Sequence, residues 1–118
     1  MSTHNTDKAS GYRFTINDAL AKLPTQEGKR FATVFKHGTL LVEIYAPRGV
    51  DPQQPHTRDE LYVVISGSGT FINDTTRTQF GPGDVLFVPA GIEHRFVDFT
   101  DDFATWVMFY GPEGGEAA

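Results

Sequence analysis

Apolar residues in this chain recur from residue 30 onward with a period of two or in short runs, and each stretch closes on a turn. A period of two places successive side chains on opposite faces of an extended chain, so it is typical of β-strands with one buried face. About eight strands are predicted in this way, in RFATVFK, TLLVEIYAP, ELYVVIS, TFIND, TRTQF, VLFVP, HRFVDF and FATWVMFY. The first two form a hairpin over residues 30–36 and 39–46.

Short strands joined by Gly and Pro turns predict an antiparallel sandwich or a closed barrel, and closure is favoured because it leaves no strand edge exposed. The predicted fold class is therefore all-β, an antiparallel β-barrel or jelly roll. One short N-terminal helix is predicted in TINDALAKLP, with Asn17 or Asp18 as its N-cap and Pro24 as its stop.

The chain has 118 residues, the size of a single domain with one core. Its two ends are polar and rich in small residues. Residues 1–10 are predicted to be a flexible N-terminus and residues 111–118 a flexible tail, which leaves residues 11–110 for the barrel.

Composition narrows the range of partners. Hydrophobic residues make up 39% of the chain, yet no apolar run approaches the roughly 20 residues that cross a bilayer. The net charge is −5 and the basic residues are scattered, whereas nucleic-acid binding needs a concentrated basic surface. No targeting segment is recognisable at the N-terminus, so a cytoplasmic location is expected. The chain has no cysteine, so any metal ligands are nitrogen or oxygen atoms.

Candidate chemistry begins in the segment QPHTRDELYVVISG. Side chains of equal parity share a face in an extended chain, so Gln54, His56 and Glu60 can lie on one side, followed by Tyr62. Taken alone, His56 and Glu60 are better explained as a histidine in a surface turn and an exposed charge at a strand start.

A third residue changes this interpretation. His94, in GDVLFVPAGIEHRFVD, also stands at the entrance to a strand. Two imidazoles and one carboxylate are the ligand set of a facial triad, which leaves metal positions open for water, substrate or oxygen. Spacing alone does not show that His94 approaches His56.

The two segments together resemble the signature motifs of the cupin superfamily, G(X)5HXH(X)3-4E(X)6G and G(X)5PXG(X)2H(X)3N. The second half of the first motif is present as HTRDELYVVISG, and the second motif is present as GDVLFVPAGIEH. The match directly covers residues 49–98, and the strand pattern extends it to residues 30–110. The resemblance implies a small cupin barrel that binds a small molecule.

The resemblance also implies His56, Glu60 and His94 as metal ligands, with two departures from the family pattern. Gln54 stands where the first motif has its first histidine, and Asp98 stands where the second motif ends in asparagine. The fourth metal position is then filled by the Gln54 amide oxygen or by water, or Gln54 lies beside the metal as a hydrogen-bonding residue, or the barrel holds no metal. Iron or manganese is the favoured ion, with zinc, nickel and copper as alternatives.

Parity selects the residues expected around this site. Tyr62 is the candidate catalytic residue, as a proton donor or a hydrogen-bond donor to substrate, because a buried hydroxyl needs a partner. Phe96 points the same way as His94. Glu43 and Tyr45 share a face that is either the pocket or solvent, with solvent slightly favoured for Glu43. The pocket wall is expected to come from one of two pairs on the last strand, Trp106 and Met108 or Val107 and Phe109.

Three functions are compatible with these features. The first is a mononuclear metalloenzyme, dioxygenase-like, that acts on a small molecule. The second is a non-catalytic module that binds a small ligand, which the substitution at Gln54 favours. The third is an isomerase or lyase with a sugar-like substrate. A homodimer is expected, because cupins often pair through outer strands and the stripe Leu40, Val42 and Ile44 could serve such a contact.

Overall fold

The computed structural model describes residues 12–117, and the predicted flexible segment of residues 1–10 lies outside that range. One helix and eight strands occur in the described residues. They are α1 (Ile16–Leu20), β1 (Phe31–His37), β2 (Leu40–Tyr45), β3 (Asp59–Ser66), β4 (Gly69–Asn73), β5 (Thr76–Phe80), β6 (Val85–Val88), β7 (His94–Val97) and β8 (Ala104–Tyr110). The eight strands and the single short helix are confirmed, and no helix in this range is long and apolar enough to cross a membrane.

The N-cap of α1 is Thr15, not Asn17 or Asp18. Thr15 has an extended backbone, and its hydroxyl oxygen accepts a hydrogen bond from the backbone N–H of Asp18. Asn17 and Asp18 lie inside the first turn, so the predicted cap is wrong. A threonine three residues before the N–H that it caps satisfies the same rule.

The strands form two antiparallel sheets, one of five strands in the order β1-β2-β8-β3-β6 and one of three in the order β5-β4-β7. The all-β jelly-roll prediction is confirmed, but the sheets do not close into one hydrogen-bonded ring, so the preference for closure is wrong. The two edge strands of the five-stranded sheet are each protected in another way: β1 carries a register shift between Thr33 and Phe35, and β6 has only four residues.

An aromatic cluster fills the space between the sheets. The ring centroid of Phe96 lies 4.9 Å from that of Tyr62, 4.9 Å from that of Phe71 and 4.7 Å from that of Phe103. All four rings are buried, and burying each stabilises the fold by about 1.5–3 kcal/mol. Because Tyr62 belongs to β3 and Phe96 to β7, the cluster fixes how these strands face each other across the two sheets.

The alternation along β3 is the predicted one. Glu60, Tyr62 and Val64 are buried between the sheets, whereas Leu61 and Val63 are half-buried on the outer face. On this buried face the polar Glu60 comes first, and the less polar Tyr62 and Val64 follow. The site therefore lies at one end of the aromatic cluster.

Gly67, the last residue of the first motif, closes β3 in a backbone conformation with φ of +83°. A Cβ atom at this position would lie 2.5 Å from the Cα atom of Phe103. Both the positive φ and the close backbone exclude larger residues, which explains the glycine.

Residues 111–117 are held against the loop before β3, although a flexible tail is predicted there. The backbone N–H of Glu116 donates to Oδ2 of Asp59 at 2.8 Å, and that of Gly114 donates to the carbonyl oxygen of Thr57 at 2.6 Å. These bonds tie the chain end to the segment that carries His56.

Candidate metal centre

His56, Glu60 and His94 lie together between the sheets. His56 is in the loop before β3, Glu60 is the second residue of β3, and His94 is the first residue of β7. Nε2 of His56 is 2.6 Å from Oε1 of Glu60, and Nε2 of His94 is 3.1 Å from the same oxygen. One ligand atom from each residue lies within 4.8 Å of the others, so the group could hold a metal ion. The fold therefore brings His94 close to His56, which sequence spacing alone does not show.

Backbone carbonyl groups fix the proton positions on both rings. Nδ1 of His56 lies 2.9 Å from the carbonyl oxygen of Arg58, and Nδ1 of His94 lies 3.0 Å from that of Ile92. A carbonyl oxygen only accepts hydrogen bonds, so Nδ1 donates in each ring and Nε2 of the neutral ring presents a lone pair. Metal-binding histidines are usually oriented in this way.

The lone pairs and the Glu60 carboxylate face one another where water is scarce, since Glu60 is 1% and His94 2% exposed. Acceptors in such a place need a positive charge among them. Burial lowers the pKa of His56, but the hydrogen bond to Glu60 and its charge outweigh burial, so this pKa is raised. Burial raises the pKa of Glu60, but hydrogen bonds from both histidines outweigh it, so this pKa is lowered. The residues therefore fit a divalent cation, which would replace the proton.

Backbone contacts hold the two histidine segments together. Gly91, with φ of +80°, donates its N–H to the carbonyl oxygen of His56 at 2.7 Å. Ala90 donates its N–H to Oδ1 of Asp59 at 2.9 Å. Hydrogen bonds from Glu116 and Ala90 lower the pKa of Asp59, and this side chain is buried. Its carboxylate joins the turn before β7 and the backbone of Glu116 to the start of β3.

Tyr62 lies beside the site and is completely buried. Its ring centroid is 6.2 Å from that of His94, and its hydroxyl donates to Oε1 of Gln53 at 2.8 Å. Burial and the charge of Glu60 raise the pKa of Tyr62 well above 10, so the phenol keeps its proton. A protonated hydroxyl is thus present beside the metal group, and its catalytic role stays a prediction.

The two adjacent glutamines differ in position. Gln54 is exposed and contributes to the cavity wall, and its role as a ligand stays a prediction. Oε1 of Gln53 lies 3.3 Å from Nε2 of His94. The parity argument that selected Gln54 assumes an extended strand, but residues 51–56 form no strand.

A cavity of about 190 Å³ opens beside the metal group. Most of the wall is apolar and comes from the inner faces of β1, β2 and β8. The lining residues are Phe31, Glu43, Tyr45, Gln53, Gln54, His56, Glu60, Val107 and Phe109. Of the two predicted wall pairs, Val107 and Phe109 line the cavity.

Glu43 faces this cavity, so the slight preference for solvent is wrong. Alternation along β2 pairs Glu43 with Tyr45 but does not reveal which face is inside. Pairing of β2 between β1 and β8 turns both residues inward. Burial and the charge of Glu60 raise the pKa of Glu43.

Asp51 and Gln53 were missed by sequence reasoning. Asp51 is 2% exposed and accepts hydrogen bonds from the hydroxyl of Tyr45, the side chain of Gln53 and the backbone N–H of Phe96. The only sequence signal is the Asp-Pro pair in VDPQQP, which indicates a turn. A turn residue and a buried anchor look alike in sequence.

The cupin domain family model matches residues 41–110, which run from β2 to the end of β8. The chain therefore belongs to the cupin family. An uncharacterized protein from Streptomyces coelicolor is 40% identical over 102 residues, which cover 85% of this chain and 96% of that protein.

Solved structures support the same fold. A cupin-2 domain protein from Shewanella frigidimarina superposes with a TM-score of 0.67 at 12% identity, covering 86% of this chain and 98% of that one.

A shorter sequence similarity is to acireductone dioxygenase from Rhodopseudomonas palustris, 44% identical over 45 residues. That similarity covers 35% of this chain and 27% of the enzyme, so it concerns a segment of the domain.

Proposed function

We propose that the chain is a mononuclear metal-dependent enzyme, dioxygenase-like, that acts on a small molecule in the cavity beside His56, Glu60 and His94. The observation that carries this proposal is the convergence of two Nε2 atoms on one buried carboxylate at a cavity wall. The partial similarity to acireductone dioxygenase supports oxygen chemistry. Iron or manganese is the proposed ion, because two histidines and one carboxylate are typical of non-haem iron oxygenases.

The metal would supply Lewis acidity and open coordination positions. Tyr62 would donate a hydrogen bond to the ligand in exchange for its present acceptor, Oε1 of Gln53, since its raised pKa keeps the phenol protonated. Glu43 would exchange a proton with the ligand, because its raised pKa brings it closer to neutral pH. The rings of Phe31 and Phe109 would exclude water from the ligand's apolar part.

Metal analysis of protein purified without added metal tests this function. We expect a stoichiometric ion in the wild type and its loss in His56→Ala and His94→Ala. His37→Ala is the matched control, because His37 is exposed at the end of β1. A metal-free wild type, or full retention in both site variants, would overturn the metal site. The same analysis decides between iron or manganese and zinc, nickel or copper.

Oxygen uptake with catechols, diketones and thiols then tests the reaction class. The proposed enzyme consumes oxygen with at least one of these classes, and His94→Ala abolishes the uptake. The second candidate, a ligand-binding module, is favoured by Gln54 in place of the family's histidine. It predicts that a ligand raises the thermal midpoint without any turnover.

We also propose that two copies pair through the outer apolar face of the five-stranded sheet. The predicted contact stripe, Leu40, Val42 and Ile44, does not serve this purpose, because Ile44 is completely buried within the chain. Leu61 lies opposite Phe87 and Met108, and Val63 lies opposite Val85 and Trp106. Val85 is 62% and Phe87 46% exposed. The outer apolar face comprises Leu61, Val63, Val85, Phe87, Trp106 and Met108. A contiguous apolar surface of this kind marks an interface, and a second copy offers the same surface.

A cytoplasmic location stays a prediction.

A further inference from the structure

The loop before β3 carries two neighbouring glutamines, and the inner one is directed at the metal group. Oε1 of Gln53 lies 3.3 Å from Nε2 of His94 and accepts the hydroxyl proton of Tyr62 at 2.8 Å. Gln54 is exposed at the cavity wall. The glutamine at the position of the motif's first histidine, Gln54, is therefore not the glutamine that contacts His94, which is Gln53.

The orientation of the Gln53 amide is fixed by its neighbours. Its Nε2 donates to Oδ2 of Asp51 at 2.8 Å, and a carboxylate only accepts. The backbone N–H of Gln53 donates to Oδ1 of Asp51 at 3.3 Å. Asp51 is itself held by the backbone N–H of Phe96 at 2.8 Å. The amide nitrogen must therefore face Asp51, and the amide oxygen must face the site.

We propose that the amide oxygen of Gln53, and not that of Gln54, is the fourth protein ligand of the metal ion. The proposal rests on the proposed metal site and deepens it. The family motif has a histidine where this chain has Gln54. Gln53 compensates for that missing histidine, because it brings an oxygen donor to the metal group from one position earlier in the chain. An amide oxygen is a weaker donor than imidazole and suits harder ions such as manganese.

Metal affinity tests this proposal. Metal-free protein is titrated with Mn²⁺ and with Co²⁺ against a chelator, and the visible absorption of bound Co²⁺ is recorded. Gln53→Ala is expected to weaken both affinities by about tenfold and to change the Co²⁺ spectrum. Gln54→Ala, the matched control, leaves the affinities within about twofold.

Each outcome bears on the proposal. Equal metal affinity for wild type and Gln53→Ala, or a loss of affinity confined to Gln54→Ala, overturns the role of Gln53 but not the metal site. A wild type that takes up no metal overturns the metal site and this role with it. If Gln53→Ala does not fold, Gln53→Asn replaces it. Its shorter side chain withdraws the oxygen, so wild-type affinity in Gln53→Asn overturns the proposal.

A second cavity, of about 320 Å³, adjoins the first and shares Phe31 and Tyr45 with it. Its wall also contains Lys29, Arg30 and Arg48. We call these three residues the basic cluster. The Lys29 ammonium lies 5.6 Å from the ring centroid of Phe31, at the boundary between the two cavities. The cavity beside the metal group thus has acidic side chains in its wall, and the adjoining cavity has basic ones.

The basic cluster has no acidic partner in the described part of the chain, where the ion pairs are those of His56 and His94 with Glu60. Arg30 and Arg48 instead donate to the same carbonyl oxygen, that of Ala46, at 2.8 and 3.5 Å. Burial and the charge of Arg48 lower the pKa of Arg30. Two guanidinium groups that share one acceptor repel each other, and an anion would relieve this repulsion.

We infer that the basic cluster binds the anionic group of the ligand, a carboxylate or a phosphate, while the ligand's other end enters the metal cavity. The test uses metal-free protein with a chelator, so that anions cannot bind through a metal. Inorganic phosphate and acetate are added at constant ionic strength, and amide chemical shifts around residues 29–31 and 46–50 are followed by NMR.

Saturable shifts are expected with at least one anion, and the anion that causes them distinguishes a phosphate from a carboxylate. Arg48→Gln should weaken this binding by at least about fivefold, as expected for loss of one charged hydrogen bond. Arg77→Gln, an exposed residue of the other sheet, is the control and should leave it unchanged. Absence of saturation, or equal weakening in both variants, overturns the anion site and leaves the metal site untouched.

Discussion

At the residue scale, Oε1 of Glu60 faces Nε2 of both His56 and His94. In the metal-free chain a proton supplies the positive charge that these three acceptors need. A metal ion that binds there must displace that proton, so protons and metal compete for the same atoms. The raised pKa of His56 extends this competition above the ordinary histidine range.

Metal affinity is therefore expected to fall as the pH is lowered. With one displaced proton, the affinity falls about tenfold per pH unit below the pKa of His56 and levels off above it. Chelator competition between about pH 5.5 and 8.5 measures this dependence. His37→Gln serves as the control and should show the same profile. A flat profile would show that no proton leaves His56 when the ion binds.

The contribution of His56 to the stability of the metal-free chain is expected to change with pH in the opposite direction to the metal affinity. Because the pKa of His56 is raised, its contribution is present below about pH 6.5, the unfolded value, and is lost as pH rises through the folded pKa. Because the pKa of Glu60 is lowered, its contribution is present above the unfolded value of about 4.5 and is lost as pH falls further. Thermal midpoints of wild type and His56→Gln across this range test the first effect. Parallel curves for the two proteins would contradict it.

Asp98, the second departure from the motif, has a backbone explanation. Its φ is 53°, in the left-handed region that asparagine and aspartate enter more easily than other residues. Asp98→Asn is therefore expected to change the free energy of unfolding by less than about 0.5 kcal/mol, whereas Asp98→Leu lowers it by about 1–2 kcal/mol. Chemical denaturation measures both. Equal stability of the two variants would mean that the conformation at this position is unimportant.

At the element scale, the site depends on two segments that are far apart in the chain and joined by backbone hydrogen bonds. Gly91 binds the carbonyl oxygen of His56, and Asp59 binds the N–H groups of Ala90 and Glu116. The turn before β7, the start of β3 and the chain end thus form one unit. This unit sets the separation of the two histidines.

Asp59→Asn is expected to loosen this unit. An asparagine side chain keeps one acceptor and places an N–H₂ group against one of the two backbone donors. We expect a metal affinity lower by about tenfold, as for other changes next to metal ligands, and a lower thermal midpoint. Metal titration and thermal unfolding measure these effects, with Asp101→Asn in an exposed turn as the control. Wild-type affinity in Asp59→Asn would show that the carboxylate does not position the histidines.

At the scale of the whole molecule, the outer apolar face determines the proposed assembly. Its residues lie on β3, β6 and β8, across from the cavity face of the same sheet. A dimer formed there leaves both cavities open. Pairing at this face would therefore be independent of ligand binding.

Val85→Lys is expected to convert the dimer into a monomer, because it places a charge within an apolar contact. Val50→Lys is the matched control: Val50 is 68% exposed in a loop, against 62% for Val85, and lies outside the outer apolar face. Light scattering after size exclusion measures the mass. A monomeric wild type, or equal masses for both variants, would contradict the proposed interface. Metal content should be the same in all three proteins.

Within strands, the sequence alone was a reliable guide to which residues share a face. The two-residue period of β3 groups Glu60 with Tyr62 and Val64, as the structure has them. The motif spacing likewise selects His56, Glu60 and His94, which the structure brings within 4.8 Å of one another. Local geometry dictates these relations, because each residue's direction follows from that of its neighbour.

Other features depend on the tertiary structure. The period along β2 cannot tell whether Glu43 faces the cavity or solvent, since either face of an isolated strand can be inside. No period exists in the loop of residues 51–56, so parity cannot tell which of Gln53 and Gln54 turns toward His94. Only the hydrogen bond from the Gln53 amide nitrogen to the buried Asp51 turns one amide oxygen toward His94. The sequence by itself determined the strands and the three candidate ligands, while long-range contacts decided the inner faces and the inner glutamine.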